Sequence, residues 1–232
     1  MTCGAPHVGF PLSPTLESLS NRFLEAASAG HPKAGDYFYA VILQLTDEVI
    51  DYLLIQTVSI AQVNSVGQKV INLCASTSNK ASAMLSAKIY KKASPEEMKN
   101  VADLWQSMIK NTAPDQSGEW YLVQEIDASL AQGLDDILNE KGDQDYFEPS
   151  DLEAVMARYE RLVEVIIDGF FLRPTESVKI GAITRKLLSV GIEGVKQASN
   201  AVIHKVVKNL EPKHLGNYVD FTTQFYIRST LS

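Results

Sequence analysis

The sequence contains little cysteine, glycine or proline, and each shortage excludes a class of protein. Cys3 and Cys74 are the only cysteines among 232 residues, and neither belongs to a C-x-x-C or Cys/His pattern. A framework of several disulfides and a zinc-binding module are therefore excluded. The 13 glycines and 9 prolines are a smaller share than the roughly 12% of an average protein. We predict that both cysteines are free thiols and that Cys74 is buried and unreactive. The few glycines and prolines predict long secondary-structure elements with few turns.

Motifs that carry catalysis at a fixed spacing are also missing. The sequence has no G-x-S-x-G, G-x-x-x-x-G-K-[ST] or G-x-G-x-x-G, which excludes the usual hydrolase elbow, P-loop and dinucleotide turn. The four histidines are too far apart for an H-E-x-x-H zinc site, and the sequence lacks the pair of E-x-x-H motifs of a di-iron bundle. We therefore predict no catalytic residues and no cofactor, which argues against an enzyme.

No segment has the length and apolarity of a membrane span. Residues 52–68 are uncharged but contain seven Gln, Asn, Ser or Thr side chains, whereas a span needs about 20 predominantly apolar residues. Residues 1–15 lack the basic and apolar regions of a signal peptide. A cytoplasmic protein is the expectation. Its hydrophobic content of 45% and charged content of 21% are those of a globular domain.

The formal net charge of −7 is distributed unevenly along the chain. Residues 115–168 carry 15 acidic and 3 basic side chains, and residues 169–232 carry 9 basic and 4 acidic ones. The favoured hypothesis is a non-enzymatic interaction or regulatory protein, whose charged helical surfaces steer a protein partner. Nucleic acid is not expected, because the cations form no stripe with interleaved aromatics. Alternatively, the two blocks simply pack together. The cations chosen for partner binding are Arg185, Lys186, Lys205 and Lys208.

Helix start and stop signals recur through the chain. Ser94, Pro95 and Glu97 combine an N-cap, a first-turn proline and a capping-box glutamate, and Ser13 with Pro14 repeats the first two signals. A break is considered at residues 76–79, whose Ser, Thr and Asn side chains can bond the local backbone, and a bend or break is expected near Gly191, since glycine costs about 1 kcal/mol inside a helix. Further helix starts are predicted at Asp36, Ser117, Ser150 and Pro212, with a stop at Pro114.

Strand patterns are nearly absent, because no segment alternates with period two between turn signals. A short strand is considered only near residues 221–227. The predicted fold is all-α, a bundle of about seven or eight helices with little or no β structure. Residues 1–232 form a single domain with an extended leader at 1–12, and a subdivision is considered near 93–95 or 142–150.

A wide apolar face over residues 38–60 supports a second hypothesis, in which the bundle binds an apolar small molecule in an interior pocket. Trp105 and Trp120 are the candidate pocket residues, although aromatic side chains at such positions usually pack in a core. The surplus apolar face also favours a homodimer. In a further reading, amphipathic helices over residues 175–210 lie on an anionic membrane.

A third hypothesis concerns a metal. Asp135 and Asp136 begin a segment that resembles the D-D-x-x-D/N motif of terpene synthases, in which carboxylates hold Mg²⁺, but no second such motif follows. Asp143 and Asp145 add oxygen ligands in the next loop. A magnesium-dependent helical enzyme that uses these four residues is a further alternative. The simpler interpretation is that they are solvated at a helix end and in a loop.

Overall fold

Helices occupy most of the chain, as the sequence predicts. The computed structural model describes residues 5–60, 62–111 and 118–228, of which 74% are helical. The α-helices are α1 (Pro14–Ser28), α2 (Ala34–Ile50), α3 (Gln56–Ile60), α4 (Ser65–Tyr90), α5 (Pro95–Met108), α6 (Ala128–Lys141), α7 (Leu152–Ile166), α8 (Arg173–Glu176), α9 (Ala182–Lys205) and α10 (Pro212–Thr223). Two π-helical segments, Asp51–Ile55 and Ile167–Leu172, join α2 to α3 and α7 to α8.

A small antiparallel sheet accompanies the helices and was underestimated by the prediction of little or no β structure. Its strands are β1 (His7–Pro11), β2 (Ile109–Asn111), β3 (Trp120–Glu125) and β4 (Tyr226–Ile227), in the order β2-β3-β1-β4. Gly9 pairs with Val123 across β1 and β3, and Val8 pairs with Tyr226. The predicted extended leader thus contains a strand at the centre of the sheet.

The helix predicted from Ser117 through Trp120 is wrong over its first part. Residues 120–125 form β3, and α6 begins only at Ala128, where Asp127 caps it. Trp120, Val123 and Ile126 are spaced by three, which imitates a helical face, whereas the strand depends on pairing with distant β1. Pro114 and Ser117 lie outside the described residues, as does Cys3.

The helix starts are partly confirmed. Glu97 donates its amide to Ser94 Oγ at 3.2 Å, and Ser94 donates its amide to Glu97 Oε2 at 2.7 Å, which completes the predicted capping box. Ser13 caps α1 as predicted. The predicted cap at Asp36 is wrong, since α2 begins at Ala34 and Asp36 lies in its first turn, where a carboxylate suits the positive helix end.

The second predicted capping box, at Ser150, is also wrong. The side chain of Asp151 caps α7 by accepting the Ala154 amide at 3.0 Å, while the Ser150 amide donates to Glu140 Oε1 at 2.6 Å. Asp151 therefore takes the capping role predicted for Ser150, and the Ser150 amide bonds to Glu140 of α6 and not to Glu153. Helix α10 begins at Pro212 as predicted.

Helices α4 and α9 are continuous, so the breaks predicted at residues 76–79 and Gly191 are wrong. The two helices pack antiparallel, with Cys74 against Ser199 and Leu85 against Gly191. A Cβ atom on residue 191 would come within 2.6 Å of Leu85 Cδ1. Glycine therefore permits close helix contact here, and packing outweighs its low helix propensity.

The main core joins the sheet to the helices. Phe10 of β1 contacts Phe225 with ring centroids 5.1 Å apart, and Phe38 of α2 contacts Trp105 at 5.4 Å. A second cluster between α4 and α9 contains Ile71, Cys74, Val202 and Val206. Cys74 is buried, as predicted. In the described ranges, no helix combines the length and apolarity needed to cross a bilayer.

Candidate functional site

An apolar cavity with a volume of about 150 Å³ lies between the helices. Its walls come mainly from α2, α4, α7, α9 and α10, and valine, leucine and isoleucine side chains form most of its surface. None of the described residues that line the cavity is charged. Such a site is suited to an apolar ligand, because burial of apolar surface supplies the binding free energy.

The wall from α2 follows the apolar face predicted over residues 38–60. Ile42, Thr46, Val49 and Ile50 line the cavity, followed by Leu53 in the first π-helical segment. The second π-helical segment contributes Ile167 and Phe171. Both described π-helical segments therefore border the same cavity. π-Helical insertions are frequent at functional sites.

The wall from α4 contains apolar side chains such as Leu85 and Ile89, together with a stripe of mostly small, polar side chains at every fourth position. This stripe extends for about 24 Å along the helix axis at 1.5 Å per residue. Sequence reasoning missed this stripe, although residues four positions apart are neighbours on a helix surface. Its members are Cys74, Ser78, Ser82, Ser86 and Tyr90, and all of them line the cavity.

Hydrogen bonds within the protein satisfy several of the wall hydroxyls. Thr46 Oγ1 donates to the Ile42 carbonyl at 2.7 Å and lies 2.6 Å from Ser82 Oγ. The Ser86 hydroxyl donates to the Ser82 carbonyl. On the opposite wall, Tyr159 Oη lies 3.0 Å from Thr222 Oγ1, and burial raises the pKa of Tyr159 to about 12.

The Tyr90 hydroxyl, unlike the wall hydroxyls of Thr46, Ser86 and Tyr159, has no hydrogen-bond partner among the described residues. The residue is 2% exposed, and its oxygen is buried. Its ring packs edge-on against Phe38 with centroids 4.7 Å apart. Burial raises the pKa of Tyr90 above its ordinary value, so the group stays a neutral donor. A buried polar group left unpaired costs about 1–3 kcal/mol and is uncommon in proteins.

The Cys74 thiol occupies the other end of the stripe. Its Sγ atom lies 3.8 Å from Ser199 Oγ, and burial raises its pKa. A raised pKa disfavours the nucleophilic thiolate. The prediction of a buried, unreactive thiol therefore agrees with its surroundings.

The α9 wall is the least buried side of the cavity. Leu188, Ile192 and Val195 line it from half-buried positions, and only Val202 and Ile203 of α9 are fully buried. The lining of the cavity is therefore most exposed on the α9 side.

Ion pairs and a histidine–carboxylate hydrogen bond along the outer side attach α9 and the turn after it to the α7 region. Lys196 Nζ lies 3.3 Å from Asp168 Oδ1, and His204 Nε2 lies 2.6 Å from Glu160 Oε1. Lys208 Nζ lies 2.6 Å from Glu153 Oε1. Here the basic last third packs beside the acidic middle, as the simpler interpretation of the charge blocks predicts.

The other predicted partner-binding cations have no such pairing. Arg185, Lys186 and Lys205 are exposed on α9, and none forms an ion pair within residues 5–60, 62–111 and 118–228. Lys208, by contrast, is bound to Glu153. A surface that steers a partner stays a prediction.

The two tryptophans do not line the cavity. Trp105 is buried in the main core, where its indole Nε1 donates to Ser20 Oγ at 3.1 Å. Trp120 begins β3, and its carbonyl accepts the Leu12 amide at 2.8 Å. The ligand-binding role predicted for the two side chains stays a prediction.

The predicted metal residues are distributed over a helix and the following loop. Asp135 Oδ1 lies 2.5 Å from Arg228 Nη2, and Asp136 accepts a hydrogen bond from Gln132 at 2.7 Å. Asp143 and Asp145 are exposed. Throughout the described part of the chain, no group of three or more His, Cys, Asp or Glu side chains is arranged to hold a metal ion. The magnesium site stays a prediction without structural support.

Comparison with known proteins gives no relative from which to infer a function. No family model matches the chain, and neither a curated protein nor a solved structure is significantly similar to it. Any proposal for the function must therefore rest on the cavity and its walls.

Proposed function

We propose that the protein binds a small apolar molecule in the cavity between α2, α4, α7, α9 and α10. The observation that carries this proposal is an uncharged, mainly aliphatic lining at the meeting point of these helices. A core packed to ordinary density leaves few voids larger than a water molecule. A cavity of about 150 Å³ is instead a space that a ligand can fill.

The cavity volume limits the size of this ligand. A dry apolar cavity of roughly 150 Å³ holds a benzene molecule or a xenon atom, whereas most drug-sized ligands occupy about 300–1,000 Å³. The proposed ligand is therefore about the size of one substituted ring. A larger molecule would require α9 to move outward from α4 and α7.

Benzene is the probe that tests this proposal. At a concentration of 100 times its Kd, a ligand that binds only the folded state stabilises it by about 2.7 kcal/mol. We expect benzene to raise the melting temperature of the wild-type protein. Val195→Phe, which fills the cavity from α9, should abolish this response. The matched variant Val190→Phe should retain it, because Val190 is 64% exposed on the same helix.

Two results would count against the proposal. The first is a melting temperature that benzene does not change, combined with a native mass spectrum of the purified protein that contains only the bare polypeptide. The second is an equal benzene response in the wild type and in Val195→Phe, since the probe would then bind elsewhere.

A partner-binding role is the second candidate, favoured by the exposed cations Arg185, Lys186 and Lys205. An acidic partner would associate faster at low ionic strength, because exposed charges act over about 10 Å at 0.1 M salt. Replacement of the three cations by glutamine should weaken a pull-down that is sensitive to salt. A pull-down that is unchanged by salt and by the substitutions would exclude this role.

A further inference from the structure

We infer that the ligand is an uncharged molecule with one hydrogen-bond acceptor oxygen, and that the Tyr90 hydroxyl donates to this oxygen. The inference rests on the proposed function and specifies the class of ligand. A ketone, ether or alcohol attached to an apolar body has the required chemistry. A hydrocarbon lacks the acceptor, and a carboxylate adds a charge.

The lining excludes a charged ligand. No lysine, arginine or histidine is found among the described residues that line the cavity. A carboxylate transferred from water into such a site would lose its hydration without gaining a counter-ion, which is strongly unfavourable. A cationic ligand would be excluded for the same reason, since the lining has no aspartate or glutamate.

Tyr90 supplies the donor because its hydroxyl is not already used. Thr46 and Ser86 donate to carbonyl oxygens of the protein, and Tyr159 is paired with Thr222. The Tyr90 hydroxyl is buried and has no partner in the described part of the chain. A phenol hydroxyl pairs with a carbonyl, ether or hydroxyl oxygen, and a ligand with such an oxygen would remove the cost of the unpaired group.

The position of Tyr90 also orients the ligand. Tyr90 ends the α4 stripe, and Cys74 begins it. The acceptor oxygen therefore lies at the Tyr90 end, with the apolar body directed along α4 towards Cys74. Contacts with Phe38 hold the ring, so the donor is fixed before the ligand binds, which limits the entropy lost on binding.

Three probes of similar shape separate these requirements. Acetophenone has a neutral carbonyl oxygen, α-methylstyrene replaces that oxygen by a CH₂ group, and benzoate adds a negative charge. We expect titration calorimetry to detect binding of the first two probes and not of benzoate. Tyr90→Phe should weaken acetophenone about three- to tenfold, the effect of one hydrogen bond, without weakening α-methylstyrene. Tyr146→Phe is the control, because Tyr146 is 55% exposed and does not line the cavity, and it should leave the ratio of the two affinities unchanged.

The outcomes distinguish the inference from the proposed function. If both neutral probes bind but Tyr90→Phe leaves their affinity ratio unchanged, the inference is wrong and the cavity still binds apolar molecules. If neither probe binds the wild type, the proposed function fails as well. Binding of benzoate as tight as that of acetophenone would overturn the requirement for an uncharged ligand. Independently, the ¹³C carbonyl resonance of bound acetophenone should shift downfield in the wild type and not in Tyr90→Phe.

Discussion

Gly35 lies against the main chain of Tyr90: a Cβ atom on residue 35 would come within 1.9 Å of the Tyr90 carbonyl oxygen. The first turn of α2 therefore touches the last residue of α4 with no room for a side chain. This contact fixes the end of α4 from which the Tyr90 ring extends into the core.

Gly35→Ala should destabilise the protein, because the new methyl group would overlap the Tyr90 carbonyl oxygen. A backbone atom cannot relieve this overlap by a change of side-chain rotamer. We expect a loss of about 1–3 kcal/mol in the free energy of unfolding, the usual cost of overpacking. Gly194→Ala on α9 is the control, since its Cβ would meet nothing within 4 Å. It should stabilise by about 0.5–1 kcal/mol through helix propensity. Urea unfolding of the two variants checks the opposite signs, and equal effects would contradict the packing argument.

The ligand-free stability of two tyrosine variants should differ. Tyr90→Phe removes an unpaired hydroxyl, so stability should stay constant or rise. Tyr159→Phe breaks the bond to Thr222 and should cost about 1 kcal/mol. Thermal unfolding, at roughly 2–4 °C per kcal/mol for a chain of this size, measures the difference. A larger loss in Tyr90→Phe than in Tyr159→Phe would indicate that the Tyr90 hydroxyl is bonded in the free protein.

The buried Lys141 predicts an asymmetric response to mutation. Its side chain is 5% exposed, whereas its partner Asp220, with Oδ1 at 2.7 Å from Nζ, is 60% exposed. Asp220→Asn leaves a buried ammonium without its anionic partner and should cost about 1.5–3 kcal/mol. Lys141→Met leaves a carboxylate that water solvates, so it should cost less. In the Lys141→Met background, Asp220→Asn should have no further effect, and an undiminished cost there would show that the pair is not coupled.

Local signals in the sequence account for much of the helical fold. The capping box at Ser94 and the proline-led start at Ser13 involve residues within four positions of each other, so local chemistry decides them. The errors involve distant residues. Strand β3 exists because Val123 pairs with Gly9, and α9 is unbroken at Gly191 because Leu85 fills the space beside it.

The candidate site was predictable only in outline. The apolar face over residues 38–60 supplies one wall, which motivated the pocket hypothesis. The tryptophans predicted for that pocket lie elsewhere, since Trp105 packs in the main core and Trp120 begins β3. A cavity arises from the spacing of several helices, and no local pattern reports that spacing. The polar stripe that ends at Tyr90 lines a cavity only because α7 and α9 form the opposite walls, and the sequence of α4 alone does not predict those walls.

Acid should weaken the contact that Glu97 makes between α5 and the segment before α9. Glu97 accepts the amide of Ser94 through Oε2 and that of Lys179 through Oε1, each at 2.7 Å. These hydrogen bonds, that from Ser94 first, lower the pKa of Glu97 from its ordinary value of 4.5. A carboxyl with a lowered folded-state pKa stabilises the protein above its unfolded-state pKa, and this contribution is lost as the pH falls through the folded-state value.

We therefore expect the free energy of unfolding to fall as the pH drops below about 4.5, and Glu97→Gln to flatten part of this decrease. Above that pH, Glu97→Gln should be less stable than the wild type, because a neutral amide accepts backbone hydrogen bonds more weakly than a carboxylate does. The neighbouring Glu96→Gln removes the same charge from an exposed side chain and should leave the pH dependence nearly unchanged. Urea unfolding from pH 3 to pH 7 measures both variants, and parallel curves for Glu97→Gln and Glu96→Gln would refute the role of the two backbone hydrogen bonds.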